Sequence, residues 1–433
     1  MEVGKVNVGK VIAEKINDSV YDGVFREIYG EEFIEIQKKR YILAIHSFYE
    51  IFGGNEDIGI FSVPGRTELC GNHTDHNNGL VLTAAVNIDV LSVAAVNGSR
   101  VIRIFSEGYG GLIEVDLALP GPDKKEFGLP AGMVRGVAAG VRDFGCKTGG
   151  FDAYITSDVK IGGGLSSSAS FEVTIGVILN NLFNGGRLTP IELAKIGRYA
   201  ENSFFGKPCG LQDQLACAVG GVITIDLADP ATPKVSRMDF DLDRFKLKMV
   251  ITETKGNHAD LTEEYASIRT EMASAAAVFG KNVLNDVDPG MFFPGIPGVR
   301  KAAGDRAVIR AIHFFEENKR VTKLASAIRE GRIDDALKLI IESGHSSFEY
   351  NQNAYSKNAA DQEIPIALAM SQWLLAGRGA WRLQGGGFAG TIQAYVPFDL
   401  VDAYCHLLGG VFGQNASKIL TIRKNGCLMA PFD

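Results

Sequence analysis

Cysteine is scarce: six in 433 residues (Cys70, Cys146, Cys209, Cys217, Cys405 and Cys427), far apart, with neither a C-x-x-C pair nor the Cys/His spacing of a zinc site. This argues against a disulfide scaffold and for free thiols in a reducing compartment. Long apolar runs are missing too. No window reaches the roughly 18–20 apolar residues of a membrane span, and the amino terminus, MEVGKVNVGKVIAEKI, alternates charged with apolar residues and has no signal-peptide core. A cytoplasmic protein is expected, without a membrane partner. Basic runs are also absent. The 44 Lys and Arg against 51 Asp and Glu give a net charge of −7, which argues against nucleic acid as a partner and leaves any anionic substrate to local groups. What the chain has is 46% apolar residues and 51 glycines, enough for large cores in two or three domains.

Apolar residues at helical spacing predict a helical lead-in from about Lys10 to Phe52. IGIFSVPGR reads as a short strand ending at Pro64-Gly65, LVLTAAVNIDVLSVAAVNG as two buried strands, and VIRIFSEGYGGLIEVDL as a further pair. A helix is expected from Ala131 to Phe144, then the strand GGFDAYITSDVK, a glycine loop and a buried helix. Thr189 with Pro190 reads as a helix start. The composition shifts near Asp229 to Pro233, which suggests lobes 1–232 and 233–433. In the second half, KLKMVITET and TIQAYVP are expected strands, with helices over Asp260 to Phe279, Asp305 to Arg329, Ile333 to Ile341 and Ile364 to Leu375. The chain is α+β.

Three segments carry the chemistry. PGRTELCGNHTDHNNG, Pro64 to Gly79, holds Arg66, Glu68, Asn72, His73, Asp75 and His76 within eleven positions. Strand alternation sends Arg66, Glu68 and Cys70 to one face, so a break at Gly71 is needed to bring Asp75 round. His73 and His76 lack an obvious third metal ligand and read better as hydrogen-bonding groups. GGGLSSSAS, Gly162 to Ser170, lies between a strand and a helix. It reads as a flexible turn or as a nest of backbone N–H groups for phosphate, with a serine able to reach magnesium; it lacks the lysine of a Walker loop. LQGGGFAG, Leu383 to Gly390, is a third, weaker anion-loop candidate. Asp213 and Glu201 read either as a helix cap and a surface carboxylate or as the two acidic groups that phosphoryl transfer needs.

In order and spacing these segments resemble the three motifs of the GHMP sugar kinases, and among them the galactokinases. The resemblance runs from about Arg40 to the end and implies an amino-terminal lobe like the second domain of ribosomal protein S5, paired with an α+β lobe. It implies ATP-dependent phosphorylation of the anomeric hydroxyl of galactose by a monomer using Mg2+. Arg66 and Asp213 would be the catalytic pair. Asn72, His73, Asp75, Gly210 and Tyr265 would hold the sugar; Gly162, Gly163, Gly164, Leu165, Ser166, Ser167 and Ser168 would wrap the phosphates; Ser168 and Glu201 would hold magnesium. Gly385 to Gly387 would support the site from the second lobe.

Two departures stand out. The family usually reads Arg-Val-Asn-Leu and Gly-Glu-His-Thr-Asp-Tyr where this chain has Arg66-Thr67-Glu68-Leu69 and Gly71-Asn72-His73-Thr74-Asp75-His76. The usual glutamate is implied to contact the sugar's 6-hydroxyl, so Asn72 opens the alternatives of galacturonate or N-acetylgalactosamine as substrate. A non-catalytic galactose and ATP sensor is the other alternative, against which the intact GLSSSAS loop, Arg66, Glu201 and Asp213 all speak. The third motif has Ala389 where a glycine is usual.

Overall fold

The computed structural model describes residues 8–54, 57–119, 121–255, 262–355, 358, 360–388 and 390–432. Ala389 and the expected helix start at Asp260 lie outside the described residues. The first sheet contains β1 (Gly59–Cys70), β2 (Leu80–Val96), β3 (Val101–Ser106), β4 (Leu112–Asp116), β5 (Phe151–Ser157), β6 (Val222–Asp226) and β7 (Lys234–Met238). A second sheet is built from β8 (Leu247–Glu253), β9 (Ala380–Leu383), β10 (Thr391–Pro397) and β11 (Ser417–Leu420), while β12 (Leu428–Met429) returns to the edge of the first. The order is β12-β1-β2-β5-β3-β4, with β6 and β7 continuing from the first half of β2, and β11-β8-β10-β9 in the second sheet.

Strand β2 explains the longest apolar run. Its even and odd residues enter different cores: Val90 and Ala94 pack under the helices Pro130–Asp143, Ser167–Asn184, Pro190–Ala200 and Gln212–Val219, whereas Leu91, Val93 and Ala95 pack under the lead-in helices Val8–Asn17, Asp22–Tyr29 and Ile34–Phe52. A strand covered on both faces has no polar side to alternate. It is one strand rather than the two expected, because Asn87 and Asp89, which resemble turn residues, are bound in mid-strand by remote groups. Asn87 exchanges hydrogen bonds with the Thr421 backbone and donates its Nδ2 to Tyr29 O, and Asp89 is paired with Arg40 and Arg423. Likewise β1 runs on through Pro64-Gly65 to Cys70 instead of stopping there.

The expected lobe boundary at 232/233 falls in the loop of the β6–β7 hairpin, which belongs to the first sheet. The chain therefore leaves the first lobe after Met238, and β12 re-enters it by pairing with β1. Between the sheets, Leu82 and Val222 share a core with Met249, Ile251 and Leu324, so the lobes are joined by apolar packing. The Thr189 helix start is a complete capping box with Glu192. Helix Pro289–Ala303 escapes sequence reading, since Pro294 and Pro297 lie inside it. Among the described residues no helix is long and apolar enough to cross a membrane.

Candidate active site

Strand β1 changes register between Pro64 and Arg66 and again between Glu68 and Cys70, and such bulges re-aim side chains. A Cβ at Gly65 would come within 3.0 Å of the Leu165 carbonyl, so only glycine lets β1 lie this close to the serine loop. There the Arg66 N–H donates to Leu165 O at 3.1 Å. The Arg66 side chain grips Asp213 with two parallel bonds, Nε to Oδ1 at 2.7 Å and Nη2 to Oδ2 at 2.9 Å, and donates Nη1 to Gly164 O at 2.5 Å. Ser166 also donates to Asp213. The arginine side chain is only 7% exposed while the aspartate, in the first turn of Gln212–Val219, keeps 37% open. Burial opposes ionisation of Asp213, but the Arg66 charge and the hydrogen bonds from Arg66 and Ser166 outweigh it and hold the carboxyl below its usual range.

Gly71, at φ +100, makes the expected break: a Cβ there would meet Leu80 O and Val81 Cα at 2.7 Å. The chain turns through Thr74, whose hydroxyl donates to Gly71 O and Leu80 O, into a short 3-10 turn Asp75–Asn77. Asp75 accepts from the His76 N–H at 2.8 Å. Its carboxylate lies so near Gly210 that a Cβ there would be 1.6 Å from Oδ2. Burial, with the negative charges of Asp213 and Glu68, pushes the Asp75 carboxyl up to about 6. The histidines hydrogen-bond as expected: His73 Nε2 donates to Gly386 O at 3.0 Å, and His76 Nδ1 accepts from Asn77 Nδ2 at 2.9 Å. Burial lowers the pKa of both, so both are neutral near pH 7.

In the serine loop, Gly162, Gly164 and Ser166 all have left-handed φ angles, and the helix Ser167–Asn184 starts directly after them. Alternate left-handed residues turn N–H groups inward, and the helix start adds its positive end, which makes the loop fit for phosphate. Leu165 is buried as its anchor, while Ser167 and Ser168 stay half-buried in the first turn. The third motif closes on it. A Cβ at Gly385 would meet Gly164 O at 3.1 Å, at Gly386 the Tyr265 ring at 2.4 Å, and at Gly387 Asn353 O at 2.1 Å. Tyr265 donates to Gly387 O at 2.8 Å and meets Phe388 edge-on.

Glu201 is not a surface carboxylate. It is buried in a π-helical turn, Glu201–Phe205, and is met by Lys207 at 3.2 Å and Gln214 at 3.0 Å. Gln214 also donates to Glu172 at 3.1 Å, and Glu172 Oε1 and Gln214 Oε1 are buried without a hydrogen-bond partner. Burial and the Glu201 charge push the Glu172 carboxyl up. Among the described residues no group of three His, Cys, Asp or Glu could hold a metal. Mg2+, which keeps waters and phosphate oxygens as ligands, takes only one or two protein groups; beside Glu201 the buried Glu172 Oε1 and Gln214 Oε1 are oxygens without a partner, while both Glu201 oxygens accept hydrogen bonds from Lys207 and Gln214.

Asn72 differs from expectation. It is 1% exposed, and its amide is committed within the protein: Nδ2 donates to Glu68 Oε1 at 3.1 Å and Gly385 O at 2.8 Å, while Oδ1 accepts from Asn353 at 2.8 Å, Ser347 at 3.3 Å and Asn351 at 3.4 Å. Glu68, Gln212, Lys207 and Asn353 are neighbours of the site to which sequence reading gave no role; only for Glu68 was there a signal, its departure from the usual asparagine.

Residues 46–96 match the galactokinase galactose-binding signature, and residues 132–221 match the GHMP kinases N terminal domain. The Streptomyces coelicolor galactokinase is 28% identical over 380 residues, covering 86% of this chain and 92% of its own. The crystal structure of Lactococcus lactis galactokinase complexed with galactose superposes with a TM-score of 0.78 at 25% identity, over 89% of this chain and 98% of that one. By both domain matches and by these two relatives, the chain is similar to the galactokinases among the GHMP kinases. The wider GHMP fold extends to Methanococcus jannaschii mevalonate kinase, with a TM-score of 0.60 at 14% identity over 85% of this chain and 99% of that one. The signature spans β1, the Gly71 turn and all of β2, and the GHMP match spans the serine loop and the Asp213 helix.

Proposed function

We propose that this protein transfers the γ-phosphoryl group of ATP to the anomeric hydroxyl of galactose, giving α-galactose 1-phosphate and ADP. The observation that carries the reading is the Arg66–Asp213 pair, which touches the serine loop through Gly164 and Ser166 on one side and opens beside Asp75 and Gly210 on the other. Asp213 is the group that receives the sugar hydroxyl. A carboxylate held below its usual range is a weak base, so its part is to orient the hydroxyl and accept its proton late, in keeping with a loose transition state in which positioning and charge neutralisation dominate. Arg66 offsets the charge that develops on the transferred group.

Asp75 and His73 are assigned to the sugar, with Gly210 leaving room for the Asp75 carboxylate and Tyr265 closing the second-lobe side. Residues 162–168 are assigned to the phosphates of ATP. Ser168 and Glu201 would hold Mg2+, which neutralises phosphate charge when bound; Lys207 supplies a local cation beside Glu201. Asn72 is left out of the sugar contacts because its amide is spent on protein partners. That bears on substrate choice. A galacturonate carboxylate would add a negative charge to a site that already holds the carboxylates of Asp75 and Asp213, with no amide at 72 free to receive it, so neutral galactose suits the site better. The protein is read as a cytoplasmic monomer.

The test is ADP formation across galactose, N-acetylgalactosamine, galacturonate, arabinose and glucose, with Asp213→Asn as the blank. Preferential turnover of galactose is expected. Preference for galacturonate would reassign the substrate, and binding of galactose and ATP without turnover would make the protein a sensor.

A further inference from the structure

Beneath the Arg66–Asp213 pair lies a second, closed one. Glu68 is 3% exposed and Arg382 fully buried, joined by Arg382 Nη2 to Glu68 Oε1 at 2.7 Å and Nη1 to the Glu68 carbonyl at 2.8 Å. The same carboxylate accepts from Asn72 Nδ2 at 3.1 Å and, on Oε2, from Gln212 Nε2 at 3.0 Å. Gln212 immediately precedes Asp213 at the start of its helix. One carboxylate thus ties together three segments remote in sequence: the first motif, the start of the Asp213 helix, and β9, whose end runs into the loop of the third motif. A surface side chain could not do this, since a single buried carboxylate accepting from three donors fixes each of them in direction.

We propose that Glu68 is a positioning residue for phosphoryl transfer, setting the Asp213 helix against the second lobe through Gln212, Asn72 and Arg382. The inference rests on the reading of Arg66 and Asp213 as the catalytic pair. The sugar-side turn is held separately: Thr74 bonds Gly71 O and Leu80 O, and Glu317 accepts from the Gly71 N–H at 3.0 Å. Loss of Glu68 therefore disturbs the alignment of Asp213 more than the hold of Asp75.

A second feature sharpens the idea. Glu68 and Asn72 are a carboxylate and an amide at positions that hydrogen-bond each other directly. Three donors, from Ser347, Asn351 and Asn353, converge on Asn72 Oδ1, an acceptor seat that suits a carboxylate as well as an amide oxygen. The pair keeps one negative charge whichever position bears it.

The experiment compares Glu68→Gln, Gln212→Ala and their double variant in steady-state galactose phosphorylation, with melting temperatures alongside. Glu68→Gln puts an amide donor against donors from Asn72, Arg382 or Gln212, and kcat is expected to fall by about 10–100-fold with the KM for galactose within about threefold of the parent. Because Glu68 reaches the Asp213 helix through Gln212, the double variant is expected to lose no more kcat than the worse single one. Unchanged kcat in folded Glu68→Gln, or losses that multiply in the double, would overturn the proposal. Glu68→Asn with and without Asn72→Glu gives a second route should Glu68→Gln not fold: the exchange is expected to restore kcat by about tenfold over Glu68→Asn alone, and no restoration counts against the pair. Asp213→Asn in the same assay separates the two levels. If it is inactive while Glu68→Gln is normal, only the positioning role fails; if Asp213→Asn is itself active, the catalytic reading fails.

Discussion

Two of the arginine–carboxylate clusters that meet β1 and β2 differ in how far they are open. At one, Arg66 on β1 holds Asp213 with the carboxylate 37% open. At the other, Asp89 on β2 is fully buried between Arg40 and Arg423, with Tyr29 donating at 2.6 Å and Ser62 completing its shell. Both aspartates are held below the usual carboxylate range: burial opposes each ionisation, and the adjoining guanidinium groups outweigh it. The chemistry is alike and the outcome differs. A closed pair has no face left for a substrate and can only fasten elements together, here the lead-in helices and the carboxy-terminal return to β1 and β2. An open pair keeps one carboxylate edge for a hydroxyl.

Asp213→Asn would put this contrast under the greatest strain: turnover is expected to drop by at least about 1,000-fold, with galactose binding still measurable by calorimetry. Wild-type-like turnover would remove the distinction between the clusters. Asp89→Asn should do the reverse. It leaves Arg40 and Arg423 without their buried counter-charge, and denaturant unfolding is expected to show a loss of about 3–5 kcal/mol, while kcat per folded molecule stays unchanged. A kcat loss larger than the unfolded fraction explains would link the closed cluster to chemistry.

Smaller effects probe the open side. Gly210→Ala forces the Asp75 carboxylate aside and is expected to raise the KM for galactose by about tenfold, as the loss of one charge-assisted hydrogen bond would; an unchanged KM would take Asp75 out of the sugar site. Asp75 itself should titrate near pH 6. Its folded pKa is raised, so the stability linked to it is full below the unfolded value of about 4 and is lost as pH rises through about 6. Asp75→Asn should therefore stabilise the protein by about 1–2 kcal/mol at pH 8 and not at pH 4. In the parent, the KM for galactose should climb as pH falls through about 6, since the neutral acid is a poorer acceptor, and Asp75→Asn should flatten that profile. A parent KM independent of pH between 5 and 7 would contradict the assignment.

Legibility followed the range of the interactions. The serine loop, the helix start at Thr189 and the break at Gly71 were readable because their causes are local: missing side chains, a hydroxyl close to the first helical N–H groups, a φ only glycine adopts easily. The single long β2 was misread because Asn87 and Asp89 find their partners at Tyr29, Arg40, Thr421 and Arg423, up to 334 residues away. The lobe boundary was misplaced for the same reason, β7 and β12 being recruited to the first sheet by pairing rather than by composition. Glu201 and Asp213 could be named from the sequence, yet which of them was buried and which open could not.

By itself, then, the sequence determined the family resemblance, the α+β class and the segments that resemble the family's motifs, all of which rest on residue order and on backbone limits felt within a few positions. Tertiary structure alone decided what each charge can do. Arg66, Glu68, Asn72 and Asp75 are neighbours in the chain, but one faces an open carboxylate, one a buried arginine, one a closed ring of amides and hydroxyls, and one a glycine and two negative charges. An ionisable group acts according to its solvation and the charges facing it, and those arrive from elements hundreds of residues distant.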